Sequence, residues 1–349
     1  MHRAILAASA ALALALPAYA QEEPKGAPTP PEIVAAAPKS DWVAIAPEDL
    51  LVMTLAADAE GNPRQVVIQL MPAPFSQGWI HNIKLFARAK WFDNISVNRV
   101  QDNYVTQWGD PNYDNPEATG KPKPLPQGLK VMGEAEYTAA FAPAMFSKIW
   151  ARGTRPAELE IMPVPVQPTP KTIVSDPYAR TLAFSGGFPL AMSMAETPGY
   201  PTISRPDRVW PTHCYGMVGV GRNYSPDTGS GAELYTVIGH APRHLDRNIA
   251  LVGRVIEGME HLSSLPRGKG ELGFYAAHEA AKRTPILTVR VASDLPKGEQ
   301  PAFEYLSTES ATFATYAEAI ANRRDPFFIV PSGGADICNI KVPVRRVAS

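Results

Sequence analysis

Cysteine is nearly missing from this chain of 349 residues, which carries two, Cys214 and Cys338. There is no CxxC pair and no paired Cys/His spacing, so nothing points to a structural zinc site. The two thiols leave two readings open: a disulfide in an oxidising compartment, or two small core residues. Charge is also scarce, at 19% of residues, with 33 Lys and Arg against 34 Asp and Glu. A nucleic-acid binder built on a basic surface needs a clustered positive excess, which this balance does not supply. Beyond the first twenty residues no apolar run reaches the roughly 18 residues that a membrane-spanning helix needs. Internal repeats are absent as well.

What is present starts with 45% hydrophobic residues, enough for a large core, in a length that suits one large domain or two modest ones. Proline is over-represented, at 36 residues, about twice ordinary usage. Residues 1–20 read as a secretory signal: His2 and Arg3, an apolar run over 4–16, Pro17, then the small-residue pattern Ala18-Tyr19-Ala20 before Gln21. Export to the periplasm, with cleavage after Ala20, is the expectation. Residues 21–46 are rich in proline and alanine and read as a tether.

Two β-rich runs, 50–55 and 65–70, flank Gly61-Asn62-Pro63 and predict a hairpin. Phe75, Trp79, Ile83, Phe86 and Lys90 then recur at helical spacing, predicting a helix over 74–90. Short strands are expected over 95–100 and 104–108. Residues 111–211 hold seventeen prolines and little regular pattern apart from one candidate helix over 135–151. Strand signals return at 215–221, 234–238, 250–255 and 286–291, with a short helix at 258–265. The remainder, residues 295–349, reads as an extension with a helix over 308–322 and a strand over 337–347 broken by Pro343. Such a mixture implies an antiparallel β architecture, barrel or sandwich.

Several motifs invite chemistry and do not sustain it. Asp227-Thr228-Gly229-Ser230 spells an aspartic-protease signature, but that mechanism needs two such carboxylates and the chain has one copy. His240, His244 and Asp246 lack the helical pattern that would place them on one face as metal ligands. Gly219-Val220-Gly221 is a fragment of a dinucleotide fingerprint without its third glycine.

Four blocks in order carry a more specific signal. Ile95-Ser96-Val97-Asn98-Arg99-Val100 leads to Tyr104-Val105-Thr106-Gln107-Trp108-Gly109-Asp110; Gly216 to Arg222 follows; then Gly229-Ser230-Gly231-Ala232-Glu233-Leu234-Tyr235; then His244-Leu245-Asp246 through Val252-Gly253 to Gly258-Met259. This series resembles the cyclophilin family of peptidyl-prolyl isomerases, over residues 48–110 and 212–292. The resemblance implies a mainly β fold: a closed antiparallel eight-stranded barrel capped by two helices, with a prolyl groove on its outer face. The domain would span 47–294, interrupted by the proline-rich insertion 111–211.

Isomerising an X–Pro bond requires no nucleophile, metal or cofactor, because the barrier is the partial double bond of the amide. The resemblance places Arg99 where a guanidinium would stabilise the twisted amide. Gln107 would orient the substrate backbone, and Tyr104, Val105, Tyr235 and Leu245 would line the proline pocket. Gly221, Glu233 and His244 complete the implied substrate-binding set. Asn98 stands where the family has histidine, Glu233 where it has glutamine, His244 for tryptophan and Ile249 for the histidine across the groove. The implied substrates are proline-containing segments of exported polypeptides, with the insertion or tail available to dock a protein partner. The alternative these replacements raise is a cyclophilin-like peptide-binding scaffold with little or no catalysis.

Overall fold

The computed structural model describes residues 26–113, 115–143, 148–151, 157–158, 176, 178–179, 181–197 and 200–347. The expected signal segment, residues 1–20, lies outside them. In chain order the first elements are α1 (Pro30–Ala35), β1 (Trp42–Ala44), β2 (Leu50–Leu55), β3 (Arg64–Leu70), α2 (Gln77–Arg88), β4 (Ile95–Val100) and β5 (Val105–Gly109). The insertion contributes β6 (Ala139–Ala140), β7 (Lys148–Ala151), β8 (Ala157–Glu158), β9 (Thr181–Ser185), β10 (Phe188–Thr197) and β11 (Tyr200–Pro211). There follow β12 (Met217–Val220), β13 (Leu234–Val237), β14 (Leu251–Glu257), α3 (Glu260–Ser263), β15 (Pro285–Val291), β16 (Phe303–Leu306), α4 (Ala311–Ala321) and β17 (Val344–Arg346).

Eight of these strands close a barrel in the order β12-β13-β5-β4-β15-β2-β3-β14, every pairing antiparallel. The expected hairpin is β2–β3, its turn held by Asp58, whose carboxylate accepts from the Glu60 and Asn62 backbone N–H groups. The helix expected over 74–90 is α2, which buries Trp79, Ile80, Ile83 and Phe86 in the barrel's apolar core. The second helix is a single turn, α3, and Leu262 on it joins the same core.

The insertion departs from its expected irregularity. It forms a six-stranded antiparallel sheet in the order β6-β11-β10-β9-β7-β8. Over residues 135–151 the expected helix is replaced, among the described residues, by a 3₁₀ turn at Glu134–Tyr137 and the short strands β6 and β7. Three of its prolines sit where a sheet tolerates a missing N–H. Pro206 falls at the register shift between Met192 and Met194, Pro211 ends β11, and Pro189 lies next to the start of β10. The alternation of side chains divides the sheet's two faces. Ala183, Leu190, Met192 and Val209 join the barrel's cluster. Leu182, Phe184, Ala191 and Trp210 join a second cluster with Trp42, Phe313, Tyr316, Ile337 and Ile340 from the two ends of the chain.

The segment read as a tether is therefore built in from residue 26 onwards. Thr29 and Glu32 form a capping box at the start of α1, with proline in the first turn, where its missing N–H is harmless. β1 pairs with β16, and β16 with β17, to give a three-stranded sheet. The helix expected at 308–322 is α4, with Ser310 as its cap. The strand expected over 337–347 shrinks to β17; Asp336 caps a 3₁₀ turn at Ile337–Asn339 instead. Cys214 and Cys338 form a disulfide with their Cα atoms 5.0 Å apart, linking the entry to β12 with the C-terminal extension.

Candidate functional site

Strand register decides which side chains meet. On β4 and β5 the Cα partners are Arg99 and Gln107, after a register shift that turns Asn98 inward. Asn98 is buried and donates to the Gly109 carbonyl at 3.1 Å. Gln107 pairs in turn with Tyr235 on β13, and Tyr235 with Gly219 on β12. Arg99, Gln107, Tyr235 and Gly219 thus form one row across four adjacent strands. Val105 and Val237, two residues along β5 and β13, pair with one another and share the same face.

Arg99 is held from several directions. Its Nη1 donates to Gln107 Oε1 at 3.1 Å and its Nε to the Leu272 carbonyl at 2.7 Å, while Nη2 donates to Gln101. The guanidinium also lies 5.6 Å from the Tyr104 ring centroid and 5.5 Å from that of Phe274. Burial draws the guanidinium below its ordinary range, against a smaller opposing pull from Tyr104 and Tyr235. It remains a cation at any physiological pH. Burial also raises the Tyr104 hydroxyl above its usual value.

Next to the guanidinium is an apolar cluster of Val105, Tyr235 and Val237, with Tyr104 and Ile249 packed against it. Glu233 is buried. Its carboxyl occupies the space over Gly109 that a larger residue's Cβ would take. Gly221 is half-buried beside Glu233 and Gln107, and its N–H donates to the Glu233 carbonyl at 2.8 Å. Leu245 and His244 sit on a 3₁₀ turn, Arg243–Leu245, outside the apolar cluster; Leu245 is half-buried and His244 exposed. The structure therefore gathers Arg99, Tyr104, Val105, Gln107 and Tyr235, sets Gly221 and Glu233 beside them, and leaves Leu245 and His244 at the margin.

Behind the groove lies a polar group that motif reading missed. His213 is fully buried; its Nδ1 is 2.9 Å from Asp246 Oδ1 and its Nε2 is 2.9 Å from the Tyr235 hydroxyl. Asp246 also accepts from Arg243 Nε at 2.6 Å, and Arg243 Nη1 lies 2.7 Å from Asp176 Oδ2. The signal for this was Tyr235 itself: a tyrosine at a buried strand position needs a partner for its hydroxyl. Gln101, Leu272 and Phe274 were missed too, and only Gln101 lies close to Arg99 in sequence. Asp227 serves its own loop, accepting from Asn223 N–H at 2.8 Å and Gly229 N–H at 3.0 Å.

Residues 65–291 match the family model described as cyclophilin type peptidyl-prolyl cis-trans isomerase/CLD. A search of curated proteins finds no match. Among solved structures the fold is similar to cyclophilin AquaCyp293 from Hirschia baltica. The identity is 17% and the TM-score 0.60, with 88% of this chain and 94% of that chain covered. A cyclophilin type isomerase from Cryptosporidium parvum aligns at 10% identity and a TM-score of 0.34, covering 69% of this chain and 96% of its own. With the family model spanning well over half its length and the barrel closed as that family requires, the chain belongs to the cyclophilin type peptidyl-prolyl cis-trans isomerase family.

Proposed function

We propose that this protein catalyses cis–trans isomerisation of X–Pro bonds in exported polypeptides, with Arg99 as the catalytic group. The observation that carries this reading is the row Arg99–Gln107–Tyr235–Gly219 beside the apolar patch of Val105, Val237 and Tyr104. A proline ring packs against the patch, and its amide then lies next to the guanidinium. As the amide twists it loses resonance, a barrier of about 18–20 kcal/mol, and its nitrogen regains a lone pair. A cation already fixed by Gln107, Gln101 and the Leu272 carbonyl is aimed at that developing charge without having to reorganise. Periplasmic placement is part of the proposal. It is supported by the signal-like residues 1–20 and by the Cys214–Cys338 disulfide, a bond that persists in oxidising compartments.

The test is the cis-to-trans rate of a proline-containing peptide with the mature protein, beside Arg99→Ala. We expect acceleration by the natural chain and a loss of about 10²-fold or more in kcat for the variant. One observation favours a second reading, a peptide-binding scaffold: all three guanidinium nitrogens of Arg99 already have partners within the protein. Peptide binding without acceleration would overturn the enzyme and support the scaffold.

A further inference from the structure

The buried chain Asp176–Arg243–Asp246–His213 has no part in the chemistry above, yet it ends on the hydroxyl of Tyr235, the ring that floors the apolar patch. Asp246, His213, Arg243 and Asp176 are each at most 4% exposed. The proton positions follow from the donors available. An ionised Asp246 only accepts, so His213 Nδ1–H donates to it, and His213 Nε2 is left as an acceptor. The Tyr235 O–H therefore donates to Nε2. The two rings lie 12° from parallel with centroids 6.4 Å apart. Tyr235 reaches His213 by passing over Gly219, where a built Cβ would overlap its hydroxyl. A phenylalanine at 235 would keep the apolar surface and lose the anchor.

The far end of the chain lies in the insertion. Asp176 forms an ion pair with Arg243, which opens the turn carrying His244 and Leu245, and Arg243 holds Asp246 at the end of that turn. Three separate stretches of sequence, the insertion, the entry to β12 and the 243–246 turn, thus converge behind one tyrosine.

We infer that His213 is a positioning residue for the proline pocket: it pins the Tyr235 ring by its hydroxyl, while Asp176 of the insertion fixes the adjoining turn through Arg243 and Asp246. This rests on the groove being the peptide site, as proposed above. The effect is on binding, because the hydroxyl bond from His213 is separate from the bonds that hold Arg99 to Gln107, Gln101 and the Leu272 carbonyl; KM and peptide Kd carry it and kcat does not.

The experiment measures Kd, KM and kcat for one proline peptide with Tyr235→Phe, His213→Gln and His213→Asn, each first shown to be folded by its melting transition. Losing one hydrogen bond that fixes the ring predicts a three- to tenfold rise in KM and Kd for Tyr235→Phe, with kcat within twofold of the natural chain. Gln places its amide near the imidazole Nε2 and keeps the bond to Tyr235, whereas Asn reaches only toward Asp246. His213→Gln should therefore restore KM to within twofold, and His213→Asn should match Tyr235→Phe. A role confined to packing would lower the melting temperature of both histidine variants and leave KM unmoved, which overturns the inference. If the natural chain neither binds nor isomerises the peptide, the groove reading fails and this inference with it. If the natural chain works and Tyr235→Phe leaves KM unchanged, only this inference fails.

Discussion

Breaking the bond between Cys214 and Cys338 should weaken the protein through its unfolded state more than through its folded one. The two cysteines are 124 residues apart in sequence, so the crosslink closes a long loop in the denatured chain. Chain-entropy scaling for a loop of that length gives about 5 kcal/mol at 25 °C. The folded side changes little, because the segment around Cys338 is anchored independently. Ile337 and Ile340 pack with Phe313, Tyr316 and Trp210, and Tyr316 donates to the Lys341 carbonyl at 2.8 Å. A chain of this size has an unfolding entropy of roughly 0.7 kcal/mol/K, so that loss lowers Tm by about 7 °C. The assay is calorimetry of the mature protein with and without reductant, beside Cys338→Ser, with thiol titration showing no free sulfhydryl before reduction. A Tm within 2 °C of the oxidised protein in both cases would refute the loop-entropy reasoning.

Gly219→Ala should push the Tyr235 ring off its line to His213, costing about 1–3 kcal/mol in denaturant titrations as overpacking does, and raising KM in the same preparation. Asn82 is fully buried on α2; it donates to the Lys130 and Ser230 carbonyls at 2.9 and 3.0 Å and accepts from the Lys130 N–H. Asn82→Ala leaves those backbone groups unpaired and should cost about 2–4 kcal/mol by the same titration, with no loss if water replaces the amide fully. Burial keeps the His213 imidazole below its ordinary value of 6.5, against the pull of Asp246, so the folded chain declines a proton that the unfolded chain accepts. Its contribution is therefore complete above pH 6.5 and is lost as pH falls below it, by at most about 1.4 kcal/mol per pH unit. Melts between pH 7.5 and 5.5 should show the decline, and His213→Asn should flatten it.

Local signals make the β elements legible, and the resemblance makes them a barrel. β-rich runs on either side of Gly61-Asn62-Pro63 mark β2 and β3, helical spacing marks α2, and the blocks around Arg99 and Tyr235 are short stretches, 95–110 and 229–235. Arg99, Gln107 and Tyr235 come together through the resemblance, whose motif residues lie in register on adjacent strands. Leu245 and His244 were placed by the same logic, but a turn has no register to hold them over the apolar cluster. Leu272 and Phe274 escaped notice because 173 residues of chain separate Arg99 from its acceptor at Leu272. No short-range pattern marks a carbonyl brought in from that distance.

The insertion was misread for a different physical reason. Proline density alone does not measure irregularity; what matters in a sheet is whether each missing N–H falls on a ladder position. Pro206 and Pro211 fall at a register shift and at a strand end, where no ladder donor is lost, so β10 and β11 run 10 and 12 residues despite them. That sheet has apolar side chains on both faces, which a surface elaboration in water would not tolerate. One face needs the barrel and the other needs the extension, as Trp210, Phe184 and Phe313 packing together make plain. The insertion therefore cannot be an appendage hung on a finished barrel. It is one layer through which the C-terminal extension is joined to the barrel, beside the direct packing of Phe303 with Leu50, Val52 and Val67, and Asp176 of the same insertion reaches the back of the groove.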